Sequence, residues 1–170
     1  MIRIEARPLA LASYAPYGAI VEARDALPRS ANHGTAQAWD ALASLESTRS
    51  GARCTASLFR CLAHRDATLP IRWLERHPCS TQMFVPMRVG RYLVAVAQGG
   101  DAPDLATLSA FVVEGARAIT YHPGIWHHPM VSLDDDGDFV NVIFADGTEA
   151  DCDEVRFDVP PAMVELPPRP

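Results

Sequence analysis

The feature that most constrains this chain is a succession of short apolar or alternating runs, each closed by a turn signal, with little helical periodicity between them. Ala52 to Cys61, Ile71 to His77, Gln82 to Met87, Val89 to Ala97, Phe111 to Val113, Ala118 to Tyr121 and Phe139 to Phe144 read as strands. β-Branched and aromatic residues cluster in them or alternate with a period of two. Leu69-Pro70, Pro78-Cys79-Ser80, the run from Gln98 to Asp101, Glu114-Gly115, Pro123-Gly124 and Asp134 to Asp138 punctuate them. One segment reads as a helix, Asp104 to Ala110, opened by an acidic cap at its positive end. Leu9 to Ala15 adds a turn or two of helix before Pro16-Tyr17-Gly18. Many short strands and few short helices make the chain mainly β, a barrel or a sandwich.

Near the start, Ile2 to Glu5 is a short alternating piece and Ala19 to Glu22 a strand, while Arg24 to Ala36 reads as a loop. Ala38 to Ser47 reads equally as strand or short helix. No linker or repeat divides the 170 residues, so residues 1–159 are expected as one domain. Residues 160–170, with five prolines, are expected as an extended arm packing on a partner subunit.

Composition narrows the function. No apolar run approaches the roughly 18 to 20 residues that span a bilayer, and Met1 to Glu5 lacks a secretory apolar core. Cys54, Cys61, Cys79 and Cys152 show no Cys-x-x-Cys spacing and read as small core residues. A cytoplasmic location without membrane partners is therefore expected. The net charge of −6 offers no basic path along a phosphate backbone, so nucleic acid is not an expected partner. All 15 basic residues are arginine, and without a lysine amine neither Schiff-base chemistry nor pyridoxal phosphate attachment is available. Phosphate-loop, dinucleotide and serine-hydrolase glycine motifs are absent from the sequence.

Tyr121 to Met130 holds three of the six histidines. If Trp126 onward is extended, Trp126 and His128 face one way and His127 the other, so only one of the adjacent imidazoles can face an interior. In Ile71 to His77 the period of two sets Ile71, Trp73, Glu75 and His77 on one face, and Arg72, Leu74 and Arg76 on the other. An acid and an imidazole then point where isoleucine and tryptophan point, which suggests the inside of a barrel and demands compensation if they are buried. Arg60 reads either as an anion ligand or as half of a surface ion pair. His33 reads as a solvated loop residue, His122 and His128 as structural or site-facing, and Tyr121 and Trp126 as core aromatics.

Two strand-borne sets, Glu75-x-His77-x4-Gln82-x7-Gly90 and Pro123-Gly124-x2-His127, resemble the paired motifs of the cupin superfamily. That resemblance implies a small antiparallel β-barrel or jelly roll whose interior gathers four ligands on one metal. Here Glu75 stands at the usual first histidine and Gln82 at the usual glutamate. The set Glu75, His77, Gln82 and His127 suits one borderline divalent ion such as nickel, manganese or zinc, and a metal-free acid/base pocket is the alternative.

Leu74-Glu75-Arg76-His77-Pro78, Gln82-Met83-Phe84-Val85-Pro86, the run from Pro103 to Phe111, Tyr121-His122 and Trp126-His127-His128-Pro129 resemble the ureidoglycolate lyase (ureidoglycolate hydrolase) family. The likeness runs from Tyr14 to Glu154. It departs at Phe144 to Gly147, where the family usually carries Asp-Arg-Gly-Gly. It implies a homodimer that cleaves (S)-ureidoglycolate to glyoxylate and urea in allantoin breakdown. His127 or His77 would act as base, with Glu75 orienting or accepting a proton. Arg60, Asn32, Gly34, Tyr121 and His122 would bind the substrate, with the guanidinium on its carboxylate. The competing expectations are a non-catalytic binder of a small carboxylate, a lyase for a related ureido or hydroxy acid, and a metal-dependent oxygenase or isomerase.

Overall fold

The computed structural model describes residues 1–24 and 27–169. Strands dominate, and they assemble into three layered sheets and one isolated hairpin. The central sheet runs in the order Asp153–Arg156, Trp73–Arg76, Trp126–His127, Arg91–Ala97, Ser109–Glu114, Arg7–Pro8, with Val131–Leu133 also paired to Arg91–Ala97. A five-stranded sheet runs Ile20–Val21, Ala118–Tyr121, Gln82–Arg88, Gly137–Ala145, Arg53–Cys61. The third sheet has Ala162–Glu165 between Ile2–Glu5 and Thr68–Ile71. Most pairings are antiparallel, the parallel ones lying at the margins. This is the expected cupin-like small β-barrel.

The central sheet is covered on both faces, so its middle strand is apolar throughout rather than alternating. All seven residues of Arg91–Ala97 are buried. Leu93, Ala95 and Ala97 face the three-stranded sheet with Leu74, Trp126, Ile71 and Val164. Tyr92, Val94 and Val96 face the five-stranded sheet, where Phe84, Ile119, Tyr121 and Phe139 meet them in the barrel interior. Burying apolar area at roughly 25 cal/mol per Å² makes these two cores the main stabilising term.

Several expectations are corrected. The helix over Asp104 to Ala110 shrinks to one 3-10 turn, Leu105–Thr107, although Asp104 does cap it by accepting from the Ala106 N–H at 3.0 Å. Ser109, Ala110 and Phe111 are taken instead by pairing with Val96, Ala95 and Val94. The Ile71 to His77 alternation breaks because the chain changes sheets between Ile71 and Trp73. Ile71 therefore joins Leu74 in the outer core, and Trp73 sits at the rim under the Arg156 guanidinium.

The proline-rich tail is not a free arm: Ala162 and Val164 are fully buried between two strands of their own chain. The 24–36 segment closes as a hairpin, Arg29–Ala31 with Ala36–Ala38, pairing with no other strand among the described residues. Its residues 25 and 26, and residue 170 of the tail, lie outside the described residues. The four cysteines are free and none is fully buried, Cys54 being exposed on the outermost strand of its sheet.

Candidate functional site

The barrel interior is lined where two corners carry the chain between the central sheet and the five-stranded one. The first corner, residues 77–81, joins Trp73–Arg76 to Gln82–Arg88; the second, 122–125, joins Ala118–Tyr121 to Trp126–His127. The second turns at Gly124, whose φ of 80° lies in the left-handed region that glycine enters without strain. Its N–H donates to the His77 carbonyl at 2.9 Å and so stitches the corners together.

Register then dictates which side chains share a face. His127 lies directly opposite Glu75 on one side and Val96 on the other. Val96 belongs to the interior core, so His127 and Glu75 point inward too. Gln82 lies opposite Tyr121, also inward. Glu75, His77 and His127 are thus brought together at the seam of two sheets, with Gln82 facing the same interior from the five-stranded sheet.

The hydrogen bonds fix the imidazole tautomers. A backbone carbonyl can only accept, so the His77 ring must donate from Nδ1 to the Asp151 carbonyl at 2.6 Å. The His127 ring donates likewise from Nδ1 to the Ile125 carbonyl at 3.0 Å. Both Nε2 atoms are left with a free lone pair, buried and without a hydrogen-bond partner, as is Gln82 Oε1. The Glu75 carboxylate stands 3.3 Å from His127 Nε2, where it faces the lone pair of the neutral ring and pairs with the ring once Nε2 is protonated. The two rings lie 5.6 Å apart, and His127 stacks on Tyr121 at 4.1 Å and 10°. Tyr121 is thus a wall of the site, with burial pushing its phenol well above its ordinary range.

Electrostatics keep the acceptors ready. Burial lowers the His77 pKa, and the neighbouring His127 lowers it further, which favours the neutral ring. Burial alone would raise the Glu75 pKa, but the facing His127, aided by His77 and His128, outweighs it and holds the carboxyl below its usual range. Unpartnered acceptors in a buried site cost free energy unless something electropositive meets them.

The ligand atoms of Glu75, His77 and His127 all lie within 4.8 Å of one another, a spacing that fits one divalent cation. The orphaned lone pairs pass the same test, because nitrogen and carboxylate oxygen donors suit nickel, manganese or zinc. A second set, Glu75, Cys152 and Glu154, shares Glu75, but burial and the acidic neighbours push the Cys152 thiol up to about 11. The imidazole set is the better preformed one.

Not every expected residue arrives. Arg60 faces outward, with a bidentate hydrogen bond to Asp138 at 2.7 and 3.2 Å, because its neighbour Phe59 takes the inward side against Phe84. Asn32 and Gly34 sit at the exposed tip of the isolated hairpin, where φ is 51° and 92°. His122 is exposed beyond the end of its strand, and His128 donates from Nδ1 to the Pro129 carbonyl at 2.8 Å.

Two residues escaped the sequence reading. Asn141, opposite Phe84 and 5% exposed, adds another orphaned acceptor inside the barrel. It is a polar residue on an apolar strand, the same signal that marks Glu75. Asp151 orients His77 through its carbonyl and accepts the Cys79 N–H on its carboxylate at 2.7 Å. No local pattern marks Asp151, since its partners are far away in sequence.

A model of the family described as ureidoglycolate lyase matches residues 1–165. The ureidoglycolate lyase of Pseudomonas fluorescens (strain SBW25) is 34% identical over 160 residues, spanning 94% of this chain and 95% of that one. The ureidoglycolate lyase of Azotobacter vinelandii is 37% identical over 150 residues, 88% and 89% of the two chains. Among solved structures, a dTDP sugar isomerase of Desulfovibrio desulfuricans superposes with a TM-score of 0.51 at 16% identity over 84% of this chain and 86% of that one, a likeness of fold alone. Taken with Glu75, His77 and His127 gathered in one barrel, the match over residues 1–165 places this chain in the ureidoglycolate lyase family.

Proposed function

We propose that the chain is a lyase that cleaves (S)-ureidoglycolate to glyoxylate and urea in allantoin breakdown. The observation that carries this reading is the pair of inward, unpartnered Nε2 lone pairs beside the Glu75 carboxylate. The substrate carbon bears a hydroxyl and a ureido nitrogen. Removal of the hydroxyl proton lets its oxygen form the carbonyl while the carbon–nitrogen bond breaks, and the departing nitrogen takes up a proton to leave as urea. An imidazole with a free lone pair can take the first proton, and the resulting imidazolium can deliver one to the leaving group. His127 or His77 serves as that base, and Glu75 stabilises the positive ring. Tyr121 holds the His127 plane by stacking.

Glu75, His77 and His127, with Gln82 completing the set, would hold a nickel, manganese or zinc ion. Such an ion would lower the pKa of a bound hydroxyl. The chain works as a cytoplasmic homodimer in this reading. What supports the dimer is Arg53–Cys61, a nine-residue outermost strand with Leu58, on the face opposite Phe59, exposed at 62%.

A coupled assay for glyoxylate tests the activity. Wild type should release glyoxylate and urea in equal amounts, and His127→Ala should lose at least about a hundredfold in kcat, the usual worth of a positioned base. Absence of glyoxylate from the wild type would end the lyase reading.

A further inference from the structure

The outward turn of Arg60 leaves the substrate carboxylate without its expected partner, and the site supplies another. We infer that Arg49 is the carboxylate-binding residue of the cleft that opens beside His77, an inference that rests on the lyase reading for the identity of the acid. The cleft, about 210 Å³, has Arg49, His77, Thr148, Glu149, Asp151 and Cys152 among its lining residues. At about 30 Å³ per water its volume equals about seven waters, enough for a small ureido acid. A larger cavity of about 420 Å³ lies against Pro8, Arg117 and Pro168 and shares no residue with the histidine cluster.

Arg49 reaches this place through the backbone around it. Thr48 N–H donates to the Cys79 carbonyl at 3.0 Å, Ser47 bridges to Ser80, and Thr81 N–H donates to the Glu46 carbonyl at 2.9 Å. The segment before Arg49 is therefore pinned to the corner between His77 and Gln82. The Arg49 side chain is 12% exposed, and both of its side-chain hydrogen bonds, to Asp146 and to Thr148 Oγ1 at 3.0 Å, leave from Nη2. Among the described residues, Nε and Nη1 have no hydrogen-bond partner. A planar fork held by one nitrogen and open at the others is arranged to accept a second carboxylate with geometric selectivity.

Asp146 anchors the fork and also belongs to the segment that departs from the family pattern. Arg49 faces the same cleft as His77. A carboxylate on Arg49 would place the adjacent carbinol carbon beside the His77 ring, on the wall that the cleft shares with the histidine cluster.

Steady-state kinetics on ureidoglycolate, with competition by glycolate and by its neutral amide, glycolamide, test the assignment. Wild type should prefer glycolate to glycolamide by at least about tenfold. Arg49→Gln should raise KM at least about tenfold, change kcat less, and bring the two inhibitors level. Arg49→Lys, which keeps the charge and loses the fork, should fall between. If Arg49→Gln does not fold, the double variant Arg49→Gln/Asp146→Asn, with neutral amides across the same contact, and Arg49→Lys carry the same readouts. A folded variant with unchanged KM and an undiminished preference for glycolate would overturn the assignment, as would a wild type without that preference. Should wild type release no glyoxylate, the lyase reading falls alone. NMR-detected binding of glycolate against glycolamide, to wild type and to Arg49→Gln, then decides the role of the arginine.

Discussion

Gly18→Ala would disturb the site from outside it. A Cβ at position 18 would lie 1.6 Å from the Thr120 carbonyl oxygen and 2.7 Å from its carbon, whereas real Cβ atoms keep at least 3.0 Å. The Ala118–Tyr121 strand or the turn at 16–18 must therefore move by about 1.4 Å, the difference 3.0 − 1.6. Neither can move freely. The same carbonyl accepts the buried Tyr14 hydroxyl at 3.0 Å, Thr120 N–H donates to the Ala19 carbonyl at 2.8 Å, and Ala19 N–H donates to Thr120 Oγ1 at 2.9 Å.

Overpacking of this kind costs about 1 to 3 kcal/mol, and loosening the buried Tyr14 hydrogen bond adds about 1 to 3 more. The expected loss is thus about 2 to 6 kcal/mol, which for a chain of this size lowers Tm by roughly 5 to 20 °C. Urea unfolding followed by tryptophan fluorescence reads the first number and calorimetry the second. Because Tyr121 follows Thr120 and stacks on His127, kcat should fall as well. A variant within 0.5 kcal/mol of wild type, by the roughly ±0.5 kcal/mol scatter of neutral substitutions, would refute the close-approach argument.

Other outcomes follow from the same structure. His77 and His128 are held neutral by burial, their pKa values lying below the ordinary 6.5. As pH falls through 6.5 the unfolded chain binds protons that the folded chain does not, so stability present at neutral pH is lost on acidification. Urea midpoints measured from pH 7.5 down to 5 should decline, and decline less in His77→Gln. Asp134, whose carboxyl the Arg91 guanidinium holds below its ordinary range, adds a further loss below about pH 4. Calorimetric titration with nickel, manganese and zinc should show one site per chain, weakened at least about a hundredfold by His77→Ala or Glu75→Ala. Equal affinity in those variants would remove the cluster as the ligand set. Light scattering should find wild type dimeric and Leu58→Asp monomeric, and a dimer unaffected by that charge would rule out the Arg53–Cys61 edge as the contact.

Much of the site could be read from local pattern. Period-two alternation set Glu75 and His77 on one face, and Pro123-Gly124 correctly marked the turn that delivers His127. His127 was separated from Trp126 by parity alone, and the two do lie in different cores. What escaped depends on distant partners. Arg60 and Arg49 are indistinguishable as isolated arginines. One is claimed by Asp138 across a strand pair, and the other is placed by hydrogen bonds from residues 46–48 to residues 79–81. The helix expected after Asp104 lost its second half because Ser109 to Phe111 complete an antiparallel ladder, tertiary pairing overriding a local preference. The tail's prolines suggest an arm, yet four of the five residues between them, Ala162–Glu165, form a strand whose alternate side chains fill the outer core.

The histidine cluster spans a seam, with Glu75 and His127 on one sheet and Gln82 on the other. Any cation or substrate that bridges these groups acts as a clasp on the barrel, and opening the sheets at that edge must release it. Occupancy should then raise the unfolding temperature in proportion to the logarithm of free ligand concentration. Protection of the corner amides at 79–81 and 124–125 against hydrogen exchange should rise with it.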